Sequence, residues 1–512
     1  MFTPRKPTLL FLVALALVIG SKAIALVYFS FQFTGNDDLI FWQMARDYAH
    51  GYFFEPFMYG QNYNYGIESF FAVPLLKLGV PFQYALPITT AWMGVFPFVV
   101  FSFGFYRIKQ FVPAIICVSI PVWMPIEYDI ITTITRGFVN GLFFTSFFIF
   151  AVLKPSRTSS FFLFGICASL GVITNPNSVL LSIPVGIYLL LVNVKSLRFY
   201  VFTSVSMIPG FVLYYFSKQF YELNPDYVVH QLPELTYAFS RIAETLVQLD
   251  RSFAYLSPLF LGFHWAILFL LVVGSVLLLK RDWRMGIALV LGLFFMLFSL
   301  GINKVEEGVG VIFFSPTRIF LAVPILFAFM LSWLLPKSNS SKLLYVLLLI
   351  SCLSVCYKFI TVESTVDFHT TNKSYGPVAI ENIELLKTEC RQFQSVATNY
   401  EVDLVVFTLS SFKNVPEVSF YNFGCELLVE DFPESTMLHK ERRTALFINH
   451  KSEIVKNILF LNYELNEELS RNSGSDYEII EEISNAILIK NNTRTLPEIC
   501  ELLELQYHRS KN

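Results

Sequence analysis

Apolar residues run along this chain in long blocks separated by short polar breaks, instead of recurring at the spacing of a half-buried helix or strand. A block of roughly 17 to 25 apolar residues is long enough to cross a bilayer as a helix. Such blocks fall at 8–31, 84–106, 110–126, 137–153, 158–174, 178–194, 199–217, 257–279, 285–302, 318–335 and 342–361. The pattern predicts a polytopic α-helical membrane domain of about eleven spans over residues 1–361. From about residue 362 the chain becomes mixed and polar, with β-rich runs VDLVVFTL, VSFYNFG, TALFINH and NAILIKN and helical patterns near 377–393 and 496–506. Strands alternating with helices predict a small α/β domain over 362–512.

Composition supports this division. Of 512 residues, 54% are apolar and 15% charged, and mean hydropathy is +0.56, against about 25% charge in soluble chains. An ordinary soluble enzyme and a disordered chain are both excluded. The net charge of −2 leaves no basic surface for nucleic acid. The first block is too long for a signal peptide and lacks a small-residue cleavage site, so it reads as a retained anchor.

Basic residues set the orientation, because positively charged short loops stay cytoplasmic. Arg5 and Lys6 precede the first block, and Arg107 and Lys109, Lys154 and Arg157, Lys195 and Arg198, Lys280, Arg281 and Arg284, and Lys337 and Lys342 fall on the same side by alternation. The N-terminus is therefore expected in the cytoplasm. The loop 32–83, the loop 218–256 and the C-terminal domain are expected outside. Cys117, Cys167, Cys352 and Cys356 lie in apolar blocks, where thiols pack as small hydrophobes. Cys390, Cys425 and Cys500 in the tail allow at most one internal disulfide.

The first outer loop carries the most suggestive residues. Asp37 and Asp38 follow the first span directly, where simple anchoring favours Trp and Tyr over carboxylates. One reading is a helix cap formed by Asn36 or Asp37. The other is a partly desolvated base that takes a proton from an acceptor hydroxyl. Farther along, Gln61, Tyr63, Tyr65 and Glu68 offer the rings and hydrogen-bonding groups of a sugar-binding surface, although an interfacial aromatic belt uses the same tyrosines.

Other polar residues stand at span ends. Lys22 lies inside the first block, so it must face the bundle or a polar cavity, or snorkel. In the second outer loop, Glu127 and Asp129 have the oxygen ligands that suit Mg or Mn, or else pair with Arg136 or touch the acceptor. Ser315, Pro316 and Thr317 read as a capped helix start before Arg318, whose guanidinium beside helix N–H groups makes a phosphate site or an interface anchor. Lys304 is a weaker candidate of the same kind. Leu235, Tyr237, Phe239, Ile242, Leu246 and Leu249 recur at helical spacing opposite Arg241, Glu244 and Gln248. This predicts an amphipathic helix on the outer leaflet or against the outer domain. No phosphate-binding glycine loop, HExxH or GxSxG is present, and the scattered histidines, His264 included, suggest no metal cluster. Formal glycosylation sequons begin at Asn372 and Asn491.

The anchor span, the outer acidic pair, the helix LIFWQMARDYAHG, the segment GQNYNYGIE and the proline-containing run after it together resemble the polytopic GT-C glycosyltransferases. The similarity is greatest to the protein O-mannosyltransferase and aminoarabinose-transferase branch. It implies a cell-envelope transferase that moves a sugar from a polyprenyl-phosphate donor to a glycan, lipid or protein acceptor at the extracytoplasmic face, with inversion. Asp37 or Asp38 is the implied catalytic carboxylate. Arg318, with Lys22, Arg136 or Lys304, is the implied partner of the donor phosphate. No cofactor is required on this reading, although related oligosaccharyltransferases place a metal on a similar acidic pair. A lipid-borne donor also accounts for the missing nucleotide motif. The resemblance implies a bacterial inner membrane. The alternatives are a transporter or lipid flippase, which needs ionisable groups near the midplane, and a non-catalytic relative that binds glycans.

Overall fold

The computed structural model describes residues 5–228, 234–261, 263–306, 312, 315–335, 340–371, 380–409, 424–439, 454–461, 477–480, 486–491, 493–503 and 505. The predicted strands at 418–423 and 444–450, Lys337, and the sequon at Asn372 lie outside these residues.

Each of the eleven apolar blocks contains a helix. Among the described residues, six helical segments are long and apolar enough to cross a membrane: Lys6–Ser30, Phe82–Arg107, Pro176–Asn193, Leu197–Leu223, Pro316–Leu334 and Ser341–Thr371. The chain is an integral membrane protein. Several other blocks are shortened or broken. The block at 137–153 divides into helices Asn140–Thr145 and Phe148–Leu153. In the block at 257–279 the helix begins at Ala266, after Pro258 and a bend that Ser257 and His264 stabilise, Ser257 Oγ donating to the His264 carbonyl at 2.5 Å.

The chain forms two compact units, which do not follow the division near residue 361. One comprises Met1–Phe31, Leu86–Phe216 and Pro233–Ala379. At its centre the Phe111–Trp123 helix is buried from Val112 to Trp123, as expected of a helix apolar all round. The Arg5–Ala25, Val323–Leu334 and Ser341–Thr371 helices pack around it. Small residues set the closest approach elsewhere: a Cβ on Gly165 would come 2.5 Å from the Thr203 carbonyl oxygen, so the Thr158–Thr174 and Leu197–Leu223 helices nearly touch there. On the latter helix, Phe211, Tyr215 and Phe216 stand exposed, a surface suited to lipid.

The predicted amphipathic helix is two short helices, Phe239–Val247 and Leu249–Phe253. Thr245 is buried and its hydroxyl donates to the Leu300 carbonyl at 3.3 Å, while Phe239, Leu246 and Val247 are exposed.

The second unit comprises Gln32–Ala85, Ser217–Leu232 and Ile380–Asn512. The helices Asn36–His50 and Ile67–Lys77 pack together, with Ser69 Oγ donating to the Phe41 carbonyl at 2.7 Å. Strand β1 (Phe33–Thr34) pairs antiparallel with β2 (Glu381–Asn382), so the first-loop segment belongs with the C-terminal region. A five-stranded mixed sheet follows, formed by β3 (Leu404–Leu409), β4 (Glu434–His439), β5 (Asn457–Leu461), β6 (Tyr477–Ile480) and β7 (Ala486–Lys490) in the order β4-β3-β5-β7-β6. β3 is parallel to β4 and β5, and the other two pairings are antiparallel. Leu404, Val406, Ile458, Phe460, Ile487 and Ile499 share its core. The helix Ile383–Asn399 starts six residues later than the pattern at 377–393, where Asn382 accepts from the Glu384 and Leu385 N–H groups. The last helix is Leu496–Leu502, closed by a Thr495–Glu498 capping box.

Candidate functional site

The acidic pair opens the Asn36–His50 helix, in the second unit. Asp38 is buried, and its Oδ2 accepts from the Gly35 N–H at 2.8 Å, the half of a capping box that a glycine N-cap allows. Asp37 is half-buried in the same first turn, where the N-terminal dipole favours a carboxylate. The N-cap is therefore Gly35, in place of the Asn36 or Asp37 expected from sequence, and the carboxylate that reaches back to it is Asp38.

The same loop supplies the acids of two buried acid–tyrosine pairs that the sequence reading missed, one within the loop and one with Tyr221 of the Leu197–Leu223 helix. Asp47 accepts from the Tyr59 hydroxyl at 2.7 Å and pairs with Arg46 at 3.3 Å. Burial raises its pKa, against the pull of Arg46. Glu55 is fully buried and accepts from the Tyr221 hydroxyl at 2.8 Å and from the Gly60 N–H at 3.3 Å. Burial pushes its carboxyl well above the ordinary range. Of the predicted sugar-binding cluster, Tyr65 is buried, bonding Ser217 Oγ at 3.0 Å and meeting the Phe57 ring edge-on at 4.4 Å. Glu68 is also fully buried, whereas Gln61 and Tyr63 are half-buried. Only the latter two keep appreciable exposure for a ligand.

In the first unit the structure brings Lys22 and Asp129 together and adds Lys358. Lys22 Nζ lies 2.8 Å from Asp129 Oδ1, and Lys358 Nζ lies 2.5 Å from Oδ2. Ser21 Oγ donates to Oδ2 at 2.7 Å. Lys358 also donates to Ser21 Oγ at 2.9 Å and to the Pro121 carbonyl at 3.1 Å, so all three of its N–H donors are used. Lys22 further bonds Thr132 Oγ1 and sits over the Tyr128 ring. The signal for Lys358 was available: it interrupts an apolar block just as Lys22 does.

This arrangement suits a carboxylate neutralised by ammonium groups and fits a metal poorly. A cation at Asp129 would have to displace two ammoniums, and among the described residues no group of three or more His, Cys, Asp or Glu side chains is placed to hold one. Glu127, two residues earlier, is half-buried, its carboxyl raised by burial. Asp129 pairs with Lys22 and Lys358, in place of the Arg136 partner envisaged from sequence.

Arg318 lies in a tight helical turn, Pro316–Phe320, that begins as the sequence suggested, with Ser315 Oγ accepting from the Thr317 N–H at 3.3 Å. Its guanidinium is largely buried, donates to the Ser315 carbonyl at 3.0 Å and lies 5.9 Å from the Phe138 ring centroid. Arg136, two residues before Phe138, is also buried. Lys304 is half-buried in the Asn303–Glu306 turn. Arg318 thus lies beside the segment that carries Arg136.

No protein-family model and no curated protein matches this chain. Among solved structures, that of the aminoarabinose transferase ArnT from Cupriavidus metallidurans in the apo state superposes with a TM-score of 0.54. It covers 93% of this chain and 97% of that one at 8% sequence identity. The chain has a GT-C-like fold. The likeness extends over nearly the full length of both proteins, so the fold includes the C-terminal α/β region as well as the spans.

Proposed function

We propose that this protein is a membrane glycosyltransferase of the GT-C type that moves one sugar from a polyprenyl-phosphate carrier to an acceptor hydroxyl at the extracytoplasmic face. The observation that carries this reading is the near full-length likeness to ArnT, a sugar transferase. Asp37 is the base: it is half-buried and so within reach of an acceptor, whereas Asp38 is buried with one oxygen on the Gly35 N–H. The acceptor loses its proton to Asp37 and attacks the anomeric carbon. The bond from that carbon to the phosphate oxygen breaks, and the electron pair leaves on the lipid phosphate. Direct displacement inverts the anomeric centre. Arg318, with Arg136, stabilises the leaving phosphate, the preorganised electrostatic contribution that usually dominates. Lys22 takes a structural role beside Asp129 and Lys358.

Two observations support the outer location. The connections rich in Lys and Arg fall on one side, and the C-terminal region holds a Cys390–Cys425 disulfide, a bond that persists in oxidising compartments. The test is mass spectrometry of envelope glycans and polyprenyl-phosphate sugars in cells lacking the protein, complemented by wild type or by Asp37→Asn at matched membrane abundance. A sugar missing from a glycan, with its carrier accumulating, and restored only by wild type, is the expected result. Equal restoration by Asp37→Asn would remove the proposed base.

A further inference from the structure

Two residues of the C-terminal region, either side of a disulfide cysteine, grip the helix that carries the acidic pair. Gly424 packs so closely on Leu39 that a Cβ there would lie 2.9 Å from Leu39 Cδ2. Cys425 is disulfide-bonded to Cys390 on the Ile383–Asn399 helix. Glu426 forms an ion pair with Arg46, and its other oxygen accepts from Ser435 N–H at 3.2 Å and Ser435 Oγ at 3.3 Å. Leu39 and Arg46 are seven residues apart, hence on one helix face, and Leu39 directly follows Asp38. Arg46 continues through Asp47 to Tyr59. The grip therefore extends from the acidic pair to the loop beyond the helix.

Residues Cys425–Leu428 form a single helical turn, too short to be stable alone. Its position depends on the disulfide, which spans 35 residues of sequence, and on the Glu426 contacts. Opening the disulfide returns that chain length to conformational freedom.

We propose that Arg46 and Glu426 are positioning residues that hold the Asn36–His50 helix in register for proton transfer, and that the Cys390–Cys425 disulfide makes this hold redox-dependent. The catalytic part rests on the reading of Asp37 as base; the mechanical part does not. Reduction by a phosphine breaks the Sγ–Sγ bond: the phosphorus supplies two electrons and becomes the phosphine oxide, while water supplies the oxygen and the two thiol protons.

The test uses the full chain in detergent micelles: hydrogen exchange of peptides covering 36–50 in oxidised protein, phosphine-reduced protein, Glu426→Gln, and the exchanged pair Arg46→Glu/Glu426→Arg. Sugar transfer is measured in complemented cells for the same variants and for Cys390→Ser/Cys425→Ser. Faster exchange within 36–50 on reduction and in Glu426→Gln is expected. So is a loss of transfer of about 10- to 100-fold, the effect of a small misplacement of a reacting group, with at most partial recovery in the exchanged pair, where a glutamate at 46 meets Asp47 and an arginine at 426 cannot accept from Ser435. Lys387→Ala, which breaks an exposed pair with Glu384 on the Ile383–Asn399 helix, should change neither. Unchanged exchange on reduction and in Glu426→Gln would overturn the mechanical coupling, whatever the reaction. Faster exchange with undiminished transfer would overturn the positioning role. A wild-type protein that restores no sugar would overturn the glycosyltransferase reading, and the catalytic role with it, while the exchange data still decide the coupling.

Discussion

Lys358 and Asp129 are 229 residues apart in sequence, yet the lysine Nζ lies 2.5 Å from the aspartate Oδ2 in the protein interior. With Lys22 on the other oxygen, one carboxylate joins the first and last long helices to the short Ile126–Ile131 helix. The network has two positive charges and one negative, so its members are not equivalent. Lys358→Met leaves the balanced Lys22–Asp129 pair, whereas Asp129→Asn leaves two ammonium groups buried together. Removing one partner of a buried pair typically costs about 3–5 kcal/mol. Asp129→Asn should show that loss and Lys358→Met a clearly smaller one, read as thermal unfolding in detergent. Equal losses would contradict the charge argument.

The two acidic residues of the first loop should separate by phenotype. Asp37→Asn is expected to lower sugar transfer by about 10²- to 10⁴-fold, far more than the ~0.3–1 kcal/mol that loss of a carboxylate at a helix N-terminus costs in stability. Asp38→Ala should cost ~0.3–1.5 kcal/mol through its lost capping contact, with transfer falling only as far as folded protein does. The reverse assignment of activity and stability losses would make Asp38 the base.

Arg318 is expected to act through its planar fork as well as its charge. Arg318→Lys keeps the charge but loses the two-pronged geometry. Loss of one charge-assisted hydrogen bond predicts a slowing of roughly 10- to 100-fold, seen as accumulation of the lipid-linked sugar. Full activity of the lysine variant would place the leaving phosphate elsewhere.

Glu55 gives a pH-dependent prediction. Burial raises its carboxyl well above the ordinary 4.5, so the folded protein binds a proton that the unfolded chain releases. This contribution to stability is present below the unfolded pKa and is lost as pH rises toward the folded value. Glu55→Gln, which cannot ionise, should therefore melt like wild type near pH 4 and above it at pH 8. A difference that shrinks with rising pH would show that Glu55 is held ionised.

Much of the fold was legible because the relevant signals are local. A block such as 199–217 is apolar over bilayer length wherever it stands, and the Ser315–Thr317 cap follows from three adjacent residues. The Cys390–Cys425 pairing was one of the few allowed combinations, but its choice over Cys500 depended on which cysteine the C-terminal helix buries. The site was less legible. Lys22 and Lys358 each interrupt an apolar run, but no local signal joins two positions so far apart in the chain. Tyr65 and Glu68 had the right chemistry for a sugar surface, and packing buried both.

By itself, the sequence determined that this protein lives in a membrane, where its apolar blocks begin and end, and that an acidic pair follows the first of them. Hydrophobic length, charge alternation and capping are properties of contiguous residues. Tertiary structure alone decided that Asp129 faces two lysines, that Asp38 caps its helix while Asp37 stays half-buried, and that Arg46 meets Glu426 across 380 residues. An ion pair or a close packing contact depends on distance in space, and that distance is set only when the whole chain has folded.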